Sequence, residues 1–167
     1  MNKEAVGTYL TDHLGGAAAG LDLARRICSE SEGTPLGDDM SVVAREIEED
    51  RETLRRYVDG LDDVHRNPLK EAAGAAAEKL TRVKLGGDDS HGRLMALETL
   101  AMGIAGKVAM WRALDAAMKG GVDLPPLDTP SLIGRGNSQL ERVERRRLEA
   151  AFEAFSTPAN GTRRPAR

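Results

Sequence analysis

Residues 7–26, GTYLTDHLGGAAAGLDLARR, lie within a longer stretch whose apolar and small side chains recur at steps of four and three. This spacing places them along one face of a helix. The positions are Val6, Leu10, Leu14, Ala17, Leu21, Ala24 and Cys28. The pattern predicts a helix over residues 4–30, and Gly33 and Pro35 in the following SESEGTPLG indicate a loop.

Four further stretches show helical periodicity. They predict helices over about 38–61, 68–84, 91–118 and 129–156 within a single domain of residues 1–156. Asp38 or Asp39 is expected to cap the second helix. The last helix starts either near 129 or only at 138, since Gly134 and Gly136 weaken its beginning. Residues 157–167 are predicted to form a disordered tail.

The composition favours helices and narrows the classes of function. Aromatic residues make up 3% of the 167 residues and charged residues 31%, so the core depends on aliphatic and alanine side chains. A net charge of −3 argues against a dedicated nucleic-acid-binding protein. The lone Cys28 and the absence of a signal-peptide pattern favour the cytoplasm. The apolar stretch 100–111 is short and carries Lys107, so we expect no membrane span.

These features predict an all-α fold, an antiparallel four-helix bundle with an additional C-terminal amphipathic helix. Short predicted loops favour antiparallel neighbours. Glycines within helices cost stability unless a neighbouring helix must come close. We therefore expect the helix at 4–30 and the helix at 91–118 to approach each other closely at Gly16, Gly20, Gly103 and Gly106.

Charged residues within or beside the apolar stripes are the candidates for a functional site, because burying an unpaired charge is costly. If helix midpoints align, His13, Asp50 and Lys107 fall at similar heights along the bundle axis. The sequence therefore predicts a buried polar network with His13 against Asp50. Its members are His13, Glu46, Asp50, Glu98 and Lys107.

Long antiparallel helices with inward carboxylates and a histidine resemble a ferritin-like bundle. In its di-iron members two helices each supply a Glu and two each supply Glu-x-x-His. This chain contains no Glu-x-x-His, so the resemblance covers the architecture of residues 4–118 and not the metal motif. The opening TYLTDHLGGAAAGLDLARR also resembles that of bacterial helical proteins of unknown activity.

Three hypotheses of function follow. The first is a non-enzymatic bundle that acts by self-association, or with a protein partner, through the helix at 129–156. The second is a metal-binding bundle that holds Fe, Mn or Zn with His13, Glu46, Asp50 and Glu98. The third is an enzyme or small-ligand carrier that uses a polar pocket between the helices. No nucleophile with a partnered base can be named, and we expect no nucleic-acid or membrane partner.

Overall fold

The computed structural model describes residues 1–61 and 90–156 and contains four helices in those ranges. They are α1 (Lys3–Glu30), α2 (Pro35–Asp59), α3 (Ser90–Lys119) and α4 (Thr129–Ser156). The described residues form no strand, which confirms the all-α prediction for this part of the chain. The predicted helix at 68–84 and the predicted tail at 157–167 lie outside the described residues.

The start of α2 differs from the prediction. The helix begins at Pro35, and the Thr34 hydroxyl accepts a hydrogen bond from the Gly37 amide at 3.2 Å. Proline at the first helical position costs no hydrogen bond, because that amide has no partner inside the helix. Both predicted caps, Asp38 and Asp39, lie inside the helix, and Asp39 is buried.

The C-terminal helix is one of the packed set rather than an addition to a bundle of four. It starts at Thr129, the earlier of the two predicted positions, and Asp128 accepts a hydrogen bond from the Ser131 amide at 3.2 Å. It packs against both α2 and α3. The prediction of an additional helix was therefore wrong for the described chain.

The four helices surround a common interior. Helix α1 packs on α2 and α3, and α4 packs on α3 and α2, so each described helix has two neighbours. The buried apolar side chains form two clusters. The first cluster combines Leu21–Ile27 of α1 with Met40–Ile47, Leu94–Ile104 and Val143–Ala150. The second combines Leu10 and Leu14 with Leu54–Leu61, Met110–Leu114 and Leu132.

The close approaches between elements do not occur at the predicted glycines. A Cβ atom added at Gly16, Gly20, Gly103 or Gly106 would meet nothing within 4 Å. The approach is tight elsewhere: a Cβ at Gly136 would lie 2.5 Å from Val108 Cγ2. Glycine at 136 is thus what allows α4 to lie against α3 at this level.

Helix α3 is long and apolar enough, by length and composition alone, to cross a membrane. A core helix passes the same test, and 44% of its apolar stretch is buried against the rest of the protein. The expectation that no segment spans a membrane stays a prediction.

Candidate functional site

A layer of polar side chains separates the two apolar clusters. Asp50 lies on α2 between Ile47 of the first cluster and Leu54 of the second. Lys107 of α3 and Gln139 of α4 reach the same level. Asp50 is 1% exposed and Gln139 is fully buried, so the layer lies in the interior.

Both carboxylate oxygens of Asp50 are occupied by donors from α3 and α4. Oδ2 accepts from Lys107 Nζ at 2.5 Å and from Gln139 Nε2 at 3.2 Å. Oδ1 accepts two bonds from the Arg135 guanidinium, one of them from Nε at 2.8 Å. A carboxylate offers about four acceptor positions. Asp50 is therefore saturated by side chains of the protein itself.

Lys107 is held by two acceptors, Asp50 and the Gln139 side-chain carbonyl. Its burial lowers the pKa of the ammonium from the usual lysine value, while the Asp50 carboxylate acts in the opposite direction. Nearby Arg135 lowers this pKa further, and Glu46 raises it. The arrangement engages the ammonium with a buried carboxylate and an amide carbonyl, which suits a structural ion pair better than a nucleophile.

The structure places the other predicted members of the network differently. Glu46 is near enough to influence Lys107 electrostatically, and its Oε2 is buried without a hydrogen-bond partner. Glu98 is half-exposed and lies 3.7 Å from Arg147 Nη1, away from Asp50. Among the predicted residues, Asp50 and Lys107 are thus in direct contact, Glu46 is adjacent, and Glu98 is separate.

His13 does not contact Asp50 in the described part of the protein. Its ring meets Tyr9 edge-to-face, with centroids 4.8 Å apart. Partial burial lowers the pKa of His13, and the neighbouring Asp12 opposes that shift. The predicted His13–Asp50 contact is wrong, because the saturated carboxylate takes its donors from α3 and α4 and none from α1.

The residues of the metal hypothesis are not gathered around one point. His13 packs on Tyr9, the Asp50 carboxylate accepts hydrogen bonds from side chains such as Arg135, and Glu98 lies near Arg147. Across residues 1–61 and 90–156, no three His, Cys, Asp or Glu side chains are arranged to hold a metal ion.

Sequence reasoning missed Arg135 and Gln139. Arg135 lies between Gly134 and Gly136, which lower helix propensity and leave the start of the last helix open between 129 and 138. Gln139 is uncharged and therefore did not stand out among the stripes. In a helix that starts at 129, Arg135 and Gln139 lie one turn apart on a single face, and this spacing is the signal that could have found them.

A second buried carboxylate, Asp39, binds three arginines of α4. Its Oδ2 accepts from Arg146 Nε at 2.6 Å and from Arg145 Nη2 at 2.9 Å, and Arg142 lies at 3.4 Å from Oδ1. Burial alone would raise the pKa of Asp39. The hydrogen bonds from Arg145 and Arg146 outweigh it and hold the pKa below the usual value.

We expect Asp39 to make stability depend on acid pH. A carboxyl with a lowered pKa stabilises the fold fully above its unfolded value of about 4, and this contribution is lost as the pH falls through the folded-state pKa. Thermal unfolding measured from about pH 5 down to pH 2 should therefore fall less steeply for Asp39→Asn than for the unaltered protein. Asp38→Asn, at the exposed neighbouring position, is the matched control. An unaltered slope in Asp39→Asn would contradict this assignment.

Comparison of the chain with protein-family models, with curated proteins and with solved structures finds no match in any of the three. The described part of the chain and ferritin-like proteins have in common a set of long helices that pack against one another.

Proposed function

We propose that this chain is a non-enzymatic helical protein of the cytoplasm that acts by self-association through α4. The observation that carries the proposal is the exposure of large apolar side chains at the end of that helix. Leu148 is 55% exposed, Phe152 74% and Phe155 79%. The chain has only two phenylalanines, and both are in this group.

The three side chains share one face, because they are separated by four and three residues on a helix. Contiguous exposed apolar surface of this kind marks interaction sites in soluble proteins. Exposed aromatic rings are also enriched at protein interfaces. Self-association thus accounts for large apolar side chains that the described part of the chain leaves exposed.

The interior supports a structural role for the polar layer. Asp50, Lys107, Gln139 and Arg135 satisfy one another, and a reaction would need at least one group free to meet a substrate. Polar contacts inside helical assemblies can fix the register of the helices. We assign that role to this layer.

We further propose that the architecture is ferritin-like, with each pair of neighbouring helices antiparallel. Contacts between helix ends support this: Arg25 near the end of α1 binds Glu48 of α2 at 2.8 Å, and Arg93 at the start of α3 binds Glu153 of α4 at 2.8 Å. Leu61, just after α2, belongs to the second apolar cluster, whereas Leu94, near the start of α3, belongs to the first. The end of α2 and the start of α3 therefore lie at opposite ends of the helix set, as in ferritin-like folds.

The proposal is tested by the double variant Phe152→Glu/Phe155→Glu. Two charges on the apolar face should reduce association at least tenfold, because each carboxylate would have to be desolvated in an interface. Sedimentation velocity over a range of protein concentrations measures the effect. Substitution by charge is preferable to truncating α4, since truncation would remove the buried Gln139 and Val143.

The matched control is Met102→Glu, which places a charge at an exposed apolar position on α3, away from α4's apolar end. It should associate like the unaltered protein. Equal association of the double variant and the control would contradict a role for the apolar end of α4.

A further inference from the structure

The outward face of α4 carries a continuous stripe that runs nearly its whole length. Its members are separated by alternating steps of three and four residues, and every one of them is exposed. We call this set the outer stripe: Ser131, Gly134, Ser138, Glu141, Arg145, Leu148, Phe152 and Phe155. The spacing is that of the contact positions in helices that pair along their length. Its extent is about 36 Å, at about 1.5 Å per residue.

The two halves of the outer stripe differ in size. The first half holds only small residues, and the second half holds Leu148 and the two phenylalanines. Between the halves stand one acid, Glu141, and one base, Arg145. The sequence of the stripe is therefore small–small–small, acid, base, large–large–large.

We propose that two copies of this chain pair through their outer stripes, with the α4 helices antiparallel and the two-fold axis at the level of residue 143. In this register Glu141 faces Arg145 of the second copy, and the pair occurs twice by symmetry. Leu148 faces Ser138, Phe152 faces Gly134, and Phe155 faces Ser131. Each large side chain thereby meets a small one, and each charge meets its opposite.

The open surface at Gly134 fits this register. Glycine within a helix is less favourable than alanine. Nothing in the described chain requires it, since an added Cβ would meet no atom within 4 Å. Facing Phe152 of a second copy gives this glycine a physical reason, because the bare helix surface leaves room for an aromatic ring.

Arg145 can serve both its own chain and the second copy. It donates to Asp39 through Nη2, and 57% of its side chain is exposed. A guanidinium has five N–H donors, so others remain for a carboxylate on the second copy. A pair of opposite charges at the centre favours this register over a shifted one, which would place like charges or large groups together.

This inference rests on the proposed function, and disulfide cross-linking separates the two. In a Cys28→Ser background, Ser138→Cys/Leu148→Cys places thiols at facing positions of the proposed dimer. Oxidation should give a covalent dimer for this double variant, and neither single variant should cross-link. Ser131→Cys/Leu148→Cys is the out-of-register control, offset by about 10 Å, and should remain uncross-linked.

Three outcomes would overturn the inference. Efficient cross-linking of Ser138→Cys alone would indicate parallel helices. Absence of any cross-link in a protein whose molar mass is still that of a dimer would reject this register of the two α4 helices. The effect of Phe152→Glu/Phe155→Glu would then decide whether the proposed function survives. A monomeric mass at all concentrations, before any substitution, would reject both.

A second variant tests the space at Gly134. Gly134→Leu leaves the interior of the chain untouched, because the position is exposed and open. It should weaken the dimer by about tenfold or more by colliding with Phe152 of the second copy. Dimer affinity equal to that of the unaltered protein would contradict the proposed register.

Discussion

Replacing Asp50 with alanine is expected to lower the free energy of unfolding by about 3–5 kcal/mol, because removing one partner of a buried ion pair leaves the other charges uncompensated. Lys107 is 11% exposed at its side chain and would lose its carboxylate partner. Arg135 would lose both of its bonds to Oδ1. Urea unfolding followed by circular dichroism measures the change.

Two comparisons make this prediction specific. Glu49→Ala removes the adjacent carboxylate, which is 54% exposed, and should change stability by about 0–1 kcal/mol. Asp50→Ala/Lys107→Met removes both charges and should recover part of the loss, since the unpaired ammonium is then absent. A loss in Asp50→Ala no larger than in Glu49→Ala would mean that the polar layer contributes nothing to stability.

Gly136→Ala is the second substitution with a large expected effect. Alanine favours helices over glycine by about 1 kcal/mol, so the change would be stabilising in an open position. Here the new Cβ would lie 2.5 Å from Val108 Cγ2. Valine is rigid about its first side-chain torsion, so α4 must move away from α3. Overpacking of this kind costs about 1–3 kcal/mol, and we expect a net loss of stability.

Gly103→Ala is the control for this effect. Gly103 is exposed on α3, and an added Cβ would meet nothing within 4 Å. This variant should keep the helix-propensity gain and unfold at a higher temperature than the unaltered protein. Gly136→Ala and Gly103→Ala shifting the unfolding temperature in the same direction would contradict a close approach of α4 and α3 at Gly136.

Hydrophobic periodicity was sufficient to predict the helical class and the approximate extent of the described helices. It also predicted that Asp50 and Lys107 lie at the same height along the bundle axis, because both are in line with buried stripes near the middle of their helices. Predicting their partner Arg135 depended on where α4 begins, whereas Gln139 was missed because it is uncharged. Asp128 caps the start of α4 by accepting a hydrogen bond from the Ser131 amide. Helix propensity does not reveal this start, because Gly134 and Gly136 lower the propensity of the first turns.

The glycines show a second limit of sequence reasoning. A helical glycine indicates either a close neighbour or no constraint, and sequence cannot separate the two without knowing how the helix is rotated. Gly136 has the close neighbour, whereas Gly16, Gly20, Gly103 and Gly106 face open space. The prediction for His13 had a related weakness, because His13 lies at the flank of its stripe. Its ring packs on Tyr9, one turn earlier in the same helix.

The most direct test of self-association through α4 is the molar mass of the unaltered protein in solution. The chain has a mass of 18.0 kDa. Light scattering over increasing protein concentration should approach twice that value, and Phe152→Glu/Phe155→Glu should return it toward that of a single chain. A mass of one chain at every concentration would contradict the account.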